Sequence, residues 1–155
     1  MGLHIYAQTI FLDYDLHIVT QRVGEALAST SYSWKTLLEQ GCSVSNGSDC
    51  PVEAPDVLAG IQCAVTRCDR RGAGPYLEKE AFTVQQALDS FTAAGAYACF
   101  AEERYGKICP GMAADFVVLG QDPFVVDPHE IQHIPVLSTW LNGQPVYTAP
   151  EAERK

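Results

Sequence analysis

The sequence predicts an α/β chain that closes in a small antiparallel β element. Three observations carry this. Apolar, β-rich runs at Ile5–Leu12 and Cys42–Ser45 alternate with helical patterns, the mark of a parallel α/β sheet or barrel. A long 3.6-residue periodicity follows Thr83. After Gly106 the helical pattern gives way to short apolar runs, the last two separated by Asn142-Gly143, a strong hairpin signal.

The elements follow in order. Ile5–Leu12 is apolar enough for a buried strand, and Asp13-Tyr14-Asp15 closes it. His17–Ser29 reads as a helix, with Ile18, Val23, Ala26 and Leu27 on its apolar side. Trp34–Gln40 reads as a second short helix, capped by Ser33 and stopped by Gly41. A strand from Cys42 to Ser45 precedes a turn at Asp49. Asp56–Cys68 is helical and apolar on one face through Val57, Leu58, Ile61, Ala64 and Val65. Residues 70–75 form a loop rich in glycine and charge. Thr83 caps a long helix running through Val84, Ala87, Leu88, Phe91, Ala94, Tyr97 and Ala98. Phe116–Leu119, Val136–Leu141 and Val146–Thr148 are the closing strands, and Pro150–Lys155 is a polar end.

Composition narrows the function classes. The 155 residues carry a formal charge of −9 and a pI near 4.7, which argues against nucleic acid and anionic membranes as partners. Arg67, Arg70 and Arg71 are the one basic cluster, read as decoration of a solvated helix end. No apolar run is long enough to span a bilayer, and the first residues lack the basic region of a secretory signal. The six cysteines (Cys42, Cys50, Cys63, Cys68, Cys99, Cys109) are read as reduced thiols of a cytoplasmic protein, mostly in the core. Cys63 and Cys68 have no second pair at zinc-finger spacing.

The stretch Asn46-Gly47-Ser48-Asp49-Cys50-Pro51-Val52-Glu53 concentrates the chemistry. Gly47 relaxes the backbone and Pro51 bars continuation as a central strand, so the chain turns off there. In a barrel of alternating strands and helices, a residue at the carboxyl end of a strand faces the reaction centre. That makes Asp49 the candidate catalytic residue. The competing reading is an Asx-turn, in which the carboxylate only accepts backbone N–H bonds. Asn46 and Ser48 are read as holding this turn, and Glu53 as favouring the start of the next helix. Asp115 reads as a turn residue opening its strand.

Ser45-Asn46-Gly47-Ser48-Asp49-Cys50-Pro51-Val52 resembles the GSD-x-PV signature of metal-dependent amidohydrolases, near their last barrel strand. Gly106–Leu119 resembles the PG-x-x-ADFVVL segment after the barrel, and Trp140–Tyr147 the closing NG hairpin. Gln8-Thr9-Ile10-Phe11-Leu12 and Leu37-Leu38-Glu39-Gln40-Gly41 fit the amidohydrolase-3-like branch, although Thr9 stands where that branch has proline. The resemblance covers nearly the whole chain in the family's order.

It implies an α/β fold: the last two βα units of a (β/α)8 TIM barrel over residues 1–105, then antiparallel strands of the accompanying β-sandwich over 106–149, and a tail at 150–155. It implies a hydrolase that splits carbon–nitrogen bonds of a small amide-type substrate with a water activated by a divalent metal, zinc in the full-length enzyme. Asp49 would touch the metal or its water and move the proton, and Gln8 would line the substrate pocket or serve equally as a core or strand-edge amide. The family's His-x-His pair and further ligands have no match here. His4 and His17 read as strand-edge and helix-surface residues, and His129 and His133 as surface residues of a connecting segment. Two readings stay open: a C-terminal piece of such an enzyme, inactive alone and holding no metal by itself, or a non-catalytic binding or regulatory remnant of the fold. Open sheet edges further predict a homo-oligomer.

Overall fold

In the computed structural model, which describes residues 2–150, β1 (His4–Ala7) pairs in parallel with β2 (Ser43–Asn46), His4 opposite Ser43 and Ala7 opposite Asn46. A parallel pair needs a crossover. Here it is α1 (Leu12–Asp15), α2 (Val19–Ala28) and α3 (Trp34–Glu39). The strand expected over Ile5–Leu12 stops at Ala7, and Thr9–Phe11 is a 3-10 turn leading into α1. The reason lies in Thr9. Its N–H donates to Asn46 Oδ1 and its hydroxyl to the Gly60 carbonyl, which takes the backbone out of the ladder. A short apolar run carries no periodicity to tell a buried strand from a buried turn of helix.

The predicted helix over 17–29 starts at Val19 and is kinked at Gly24, which has φ 76°. Gly41, at φ 89°, stops α3 as expected. Ser33 stands at its N-cap as expected, but its side chain makes no capping bond: the Ser33 hydroxyl donates to the Thr30 carbonyl instead.

Helix α4 (Val57–Thr66) is the centre of the packing, buried continuously from Ala59 to Ala64. Asp56 caps it, accepting from the Ala59 N–H at 3.0 Å. The helix ends before the expected Cys68 because Arg67 takes a left-handed conformation, φ 59°. Arg67 also corrects the reading of a solvated helix end, since it is fully buried. Its fold partners are close by. The Nε donates to the Tyr76 carbonyl at 2.8 Å and the guanidinium lies over the Trp34 ring.

The long helix expected after Thr83 is two. Helix α5 (Val84–Phe91) opens with a reciprocal capping box between Thr83 and Gln86, and α6 (Ala93–Ala98) follows a break at Thr92. The Thr92 hydroxyl donates to the Leu88 carbonyl, a back-bond that bends helices.

Strands β3 (Phe116–Leu119), β4 (Val136–Leu141) and β5 (Gln144–Thr148) make an antiparallel sheet in that order. The hairpin turn has positive φ at both Asn142 and Gly143, as its sequence requires. Asp115 accepts from the Asn142 N–H at 2.7 Å and so ties the start of β3 to this turn. Ile131, on the 3-10 turn Pro128–His133, is wholly buried in the cluster that holds Leu12, Ile61 and Phe82, joining the sheet segment to the helical layer. His129 and His133 on the same turn are exposed, as expected.

All six cysteines are free, but only Cys63 and Cys68 are buried. Cys50, Cys99 and Cys109 are exposed, which corrects the mostly-core expectation. No helix among the described residues is long and apolar enough to cross a membrane. Of the polar end, residues 151–155 lie outside the described residues.

Candidate functional site

Parallel pairing places the carboxyl ends of β1 and β2 side by side, Ala7 opposite Asn46. The segments leaving them carry both candidate residues: Gln8 directly after β1, and Asp49 three residues after β2. Gln8 is half-buried there.

Asp49 has φ 55°, and its backbone carbonyl accepts from the Val52 N–H at 2.8 Å across a cis Cys50–Pro51 peptide. Asp tolerates this left-handed region better than most residues. The side chain is exposed, and among the described residues its carboxylate accepts no hydrogen bond. An Asx-turn at Asp49 is therefore not what the fold contains. Asn46 does that work instead: its Oδ1 accepts from Gly47 N–H at 3.0 Å and from Thr9 N–H at 3.1 Å, and its amide donates to Thr9 Oγ1 and Ser90 Oγ.

Beside the turn lies a cleft of about 230 Å³ bounded by Ile10, Asn46, Ser48, Val57 and Phe91. Its floor depends on Gly60, where a Cβ would come within 2.7 Å of Phe91 Cζ.

His4 and His17 are in structural contacts rather than a ligand set. His4 Nε2 lies 2.8 Å from Ser45 Oγ, with the Tyr6 and Tyr97 rings packed around it. His17, read as a plain surface residue, pairs with Asp69 at 2.9 Å. Burial works to raise the Asp69 carboxyl, yet the Ala73 and Arg71 N–H groups and His17 hold it below the ordinary value. Among the described residues, no three His, Cys, Asp or Glu side chains come together as a metal site. This chain's described residues alone do not fit a complete metal centre; at the carboxyl ends of β1 and β2 they offer the exposed carboxylate of Asp49.

Sequence reasoning missed the reach of Asn46 and the burial of Arg67, Asp69 and Glu80. An Asn before Gly signals a turn, but nothing in the sequence says that its amide spans 37 residues back to Thr9.

The profile of the Amidohydrolase family matches residues 1–147. YtcJ of Bacillus subtilis (strain 168), whose name assigns it to the amidohydrolases, is 38% identical over 149 residues, covering 95% of this chain and 28% of YtcJ. The N-substituted formamide deformylase of Arthrobacter pascens is 31% identical over 109 residues, 70% of this chain and 20% of that protein. Among solved structures, an uncharacterized metal-dependent hydrolase from Pyrococcus horikoshii OT3 superposes with a TM-score of 0.71 at 28% identity, over 81% of this chain and 26% of that one. The chain thus spans roughly a quarter of the length of the relatives it matches.

Proposed function

The chain belongs to the amidohydrolase family, and we propose that it is the C-terminal portion of a metal-dependent hydrolase acting on carbon–nitrogen bonds of small amide-type substrates. On this reading residues 1–105 supply the last two strand–helix units of a (β/α)8 barrel and residues 106–149 a segment of the β-sandwich beside it. Asp49 contributes one carboxylate to a divalent ion, zinc, whose other ligands come from outside the described residues. Gln8 faces the substrate. The isolated chain binds the ion weakly and does not hydrolyse amides by itself. Its working place is the cytoplasm, and its exposed sheet edges pair with a second copy.

The observation that carries the reading is Asp49 itself. A carboxylate left exposed and unbonded, on a left-handed turn at the carboxyl end of a parallel strand, has no structural task in this fold. The deformylase relative, by its name, acts on N-substituted formamides, which supports the substrate class.

The test is a titration of the untagged chain with Mn²⁺, read by NMR line broadening. Broadening centred on Gly47–Cys50 and abolished by Asp49→Ala supports the role. Broadening that is absent, or unchanged in Asp49→Ala, overturns it.

A further inference from the structure

Among the described residues, Asn46 is the one side chain that hydrogen-bonds to both segments of the candidate site. Its Oδ1 accepts the N–H of Gly47, which leads into Asp49, and the N–H of Thr9, which follows Gln8. Its Nδ2 donates to Thr9 Oγ1 at 2.9 Å and, more weakly, to Ser90 Oγ at 3.4 Å. The partners are anchored in turn. Thr9 is fully buried and its hydroxyl donates to the Gly60 carbonyl of α4 at 2.7 Å. Ser90 is 1% exposed and donates to the Ala87 carbonyl of α5 at 2.6 Å.

The amide therefore works in two directions. Donors to Thr9 and Ser90 fasten Asn46 to the helical layer. The acceptor then holds two backbone N–H groups, from the segments that follow β2 and β1, at one oxygen, 3.0 and 3.1 Å away. Without it, the ladder bond from Gly47 N–H to the Ala7 carbonyl is left to join the two strand ends beyond Asn46. Beyond that point the chain is no longer in the sheet, and the angle at which each segment leaves is not set by strand pairing.

We infer that Asn46 is a positioning residue: it fixes the segment carrying Gln8 against the turn carrying Asp49, so that both present to one site. This rests on the reading of those two residues as site residues, but it makes a geometric claim that can be tested without metal or substrate. The hydrogen bonds of its amide go to Gly47, Thr9 and Ser90 and not to the side chains of Gln8 or Asp49.

The experiment uses the exposed thiol of Cys50, next to Asp49, as the attachment point for a nitroxide, in the full chain carrying Cys42→Ser, Cys99→Ser and Cys109→Ser. The readout is the paramagnetic relaxation rate of the Gln8 side-chain amide, which falls with the sixth power of its distance from the nitroxide. The parent sets the reference rate. Asn46→Ala changes it, whereas Asn46→Asp, which keeps the acceptor, keeps the parent rate. Ser90→Ala lowers thermal stability but keeps the parent rate, because both N–H contacts to Asn46 remain. Should Asn46→Ala keep the parent rate, the inference is wrong. If that variant does not fold, a changed rate in Asn46→Asp overturns the inference equally. Neither result touches the Mn²⁺ titration at Asp49, so failure of the positioning claim and failure of the metal reading are read separately.

Discussion

The guanidinium of Arg67 lies 5.1 Å from the centroid of the Trp34 ring, with no part of the residue open to solvent. Burial lowers its pKa to about 10, so it remains charged at neutral pH. The charge is made tolerable by the Tyr76 and Tyr32 carbonyls, which accept from Nε and Nη1, and by the facing aromatic rings. Arg67→Ala leaves two half-buried carbonyls without this donor and opens a cavity, and should cost about 3 kcal/mol. Arg67→Lys should recover only part of this, because an ammonium cannot lie flat on Trp34 while reaching both carbonyls. Urea unfolding of the three proteins checks the order.

Acid should unfold this protein through two buried carboxylates. Glu80 is desolvated, which raises its pKa, but the Thr36 N–H and hydroxyl, followed by Lys79 and Arg67, more than reverse that, and the net shift is downward. Asp69 is likewise lowered. A lowered folded pKa means that the folded state holds fewer protons than the unfolded one in this range. The stability these groups contribute is then complete above the unfolded carboxylate range, about 4, and is lost as pH falls through the folded values. Urea midpoints should drop steeply below about pH 4, and Glu80→Gln should flatten that limb while lowering the neutral-pH midpoint.

Gly60 faces the Phe91 ring so closely that any side chain there must displace it. Gly60→Ala should destabilise by roughly 1–3 kcal/mol, the ordinary cost of overpacking, despite the better helix propensity of alanine. Combining it with Phe91→Leu should restore part of the loss. A double-mutant cycle on thermal midpoints would show the coupling.

Thiol chemistry should divide the cysteines by place rather than by number. Burial pushes the Cys63 thiol up to about 12 and raises Cys68 as well. Cys50, Cys99 and Cys109 are exposed. Brief alkylation of the native protein should label the exposed three and spare Cys63 and Cys68, which become reactive only on unfolding. Peptide mapping by mass spectrometry reads this directly, and modification of Cys63 under native conditions would contradict the packing of α4.

Local chemistry announced the elements whose cause is local. Thr83 and Gln86 spell a capping box, Asn142-Gly143 spells a hairpin turn, and Gly41 ends a helix, because each needs only its immediate neighbours. The turn at Asp49 belongs with them, since Gly47 frees the backbone and Pro51 restricts it wherever the chain lies. What the sequence could not decide was where each polar side chain would find its partner. Ile5–Leu12 carries apolar residues suited to a strand, yet Thr9 leaves the ladder because Gly60 and Asn46, distant in sequence, offer it better hydrogen bonds. Arg67 looks like a solvated helix end until Trp34, Tyr76 and Tyr32 close over it. In each case the deciding free energy is that of a buried donor or acceptor being satisfied or left bare, and only the packed tertiary structure determines which groups become buried together.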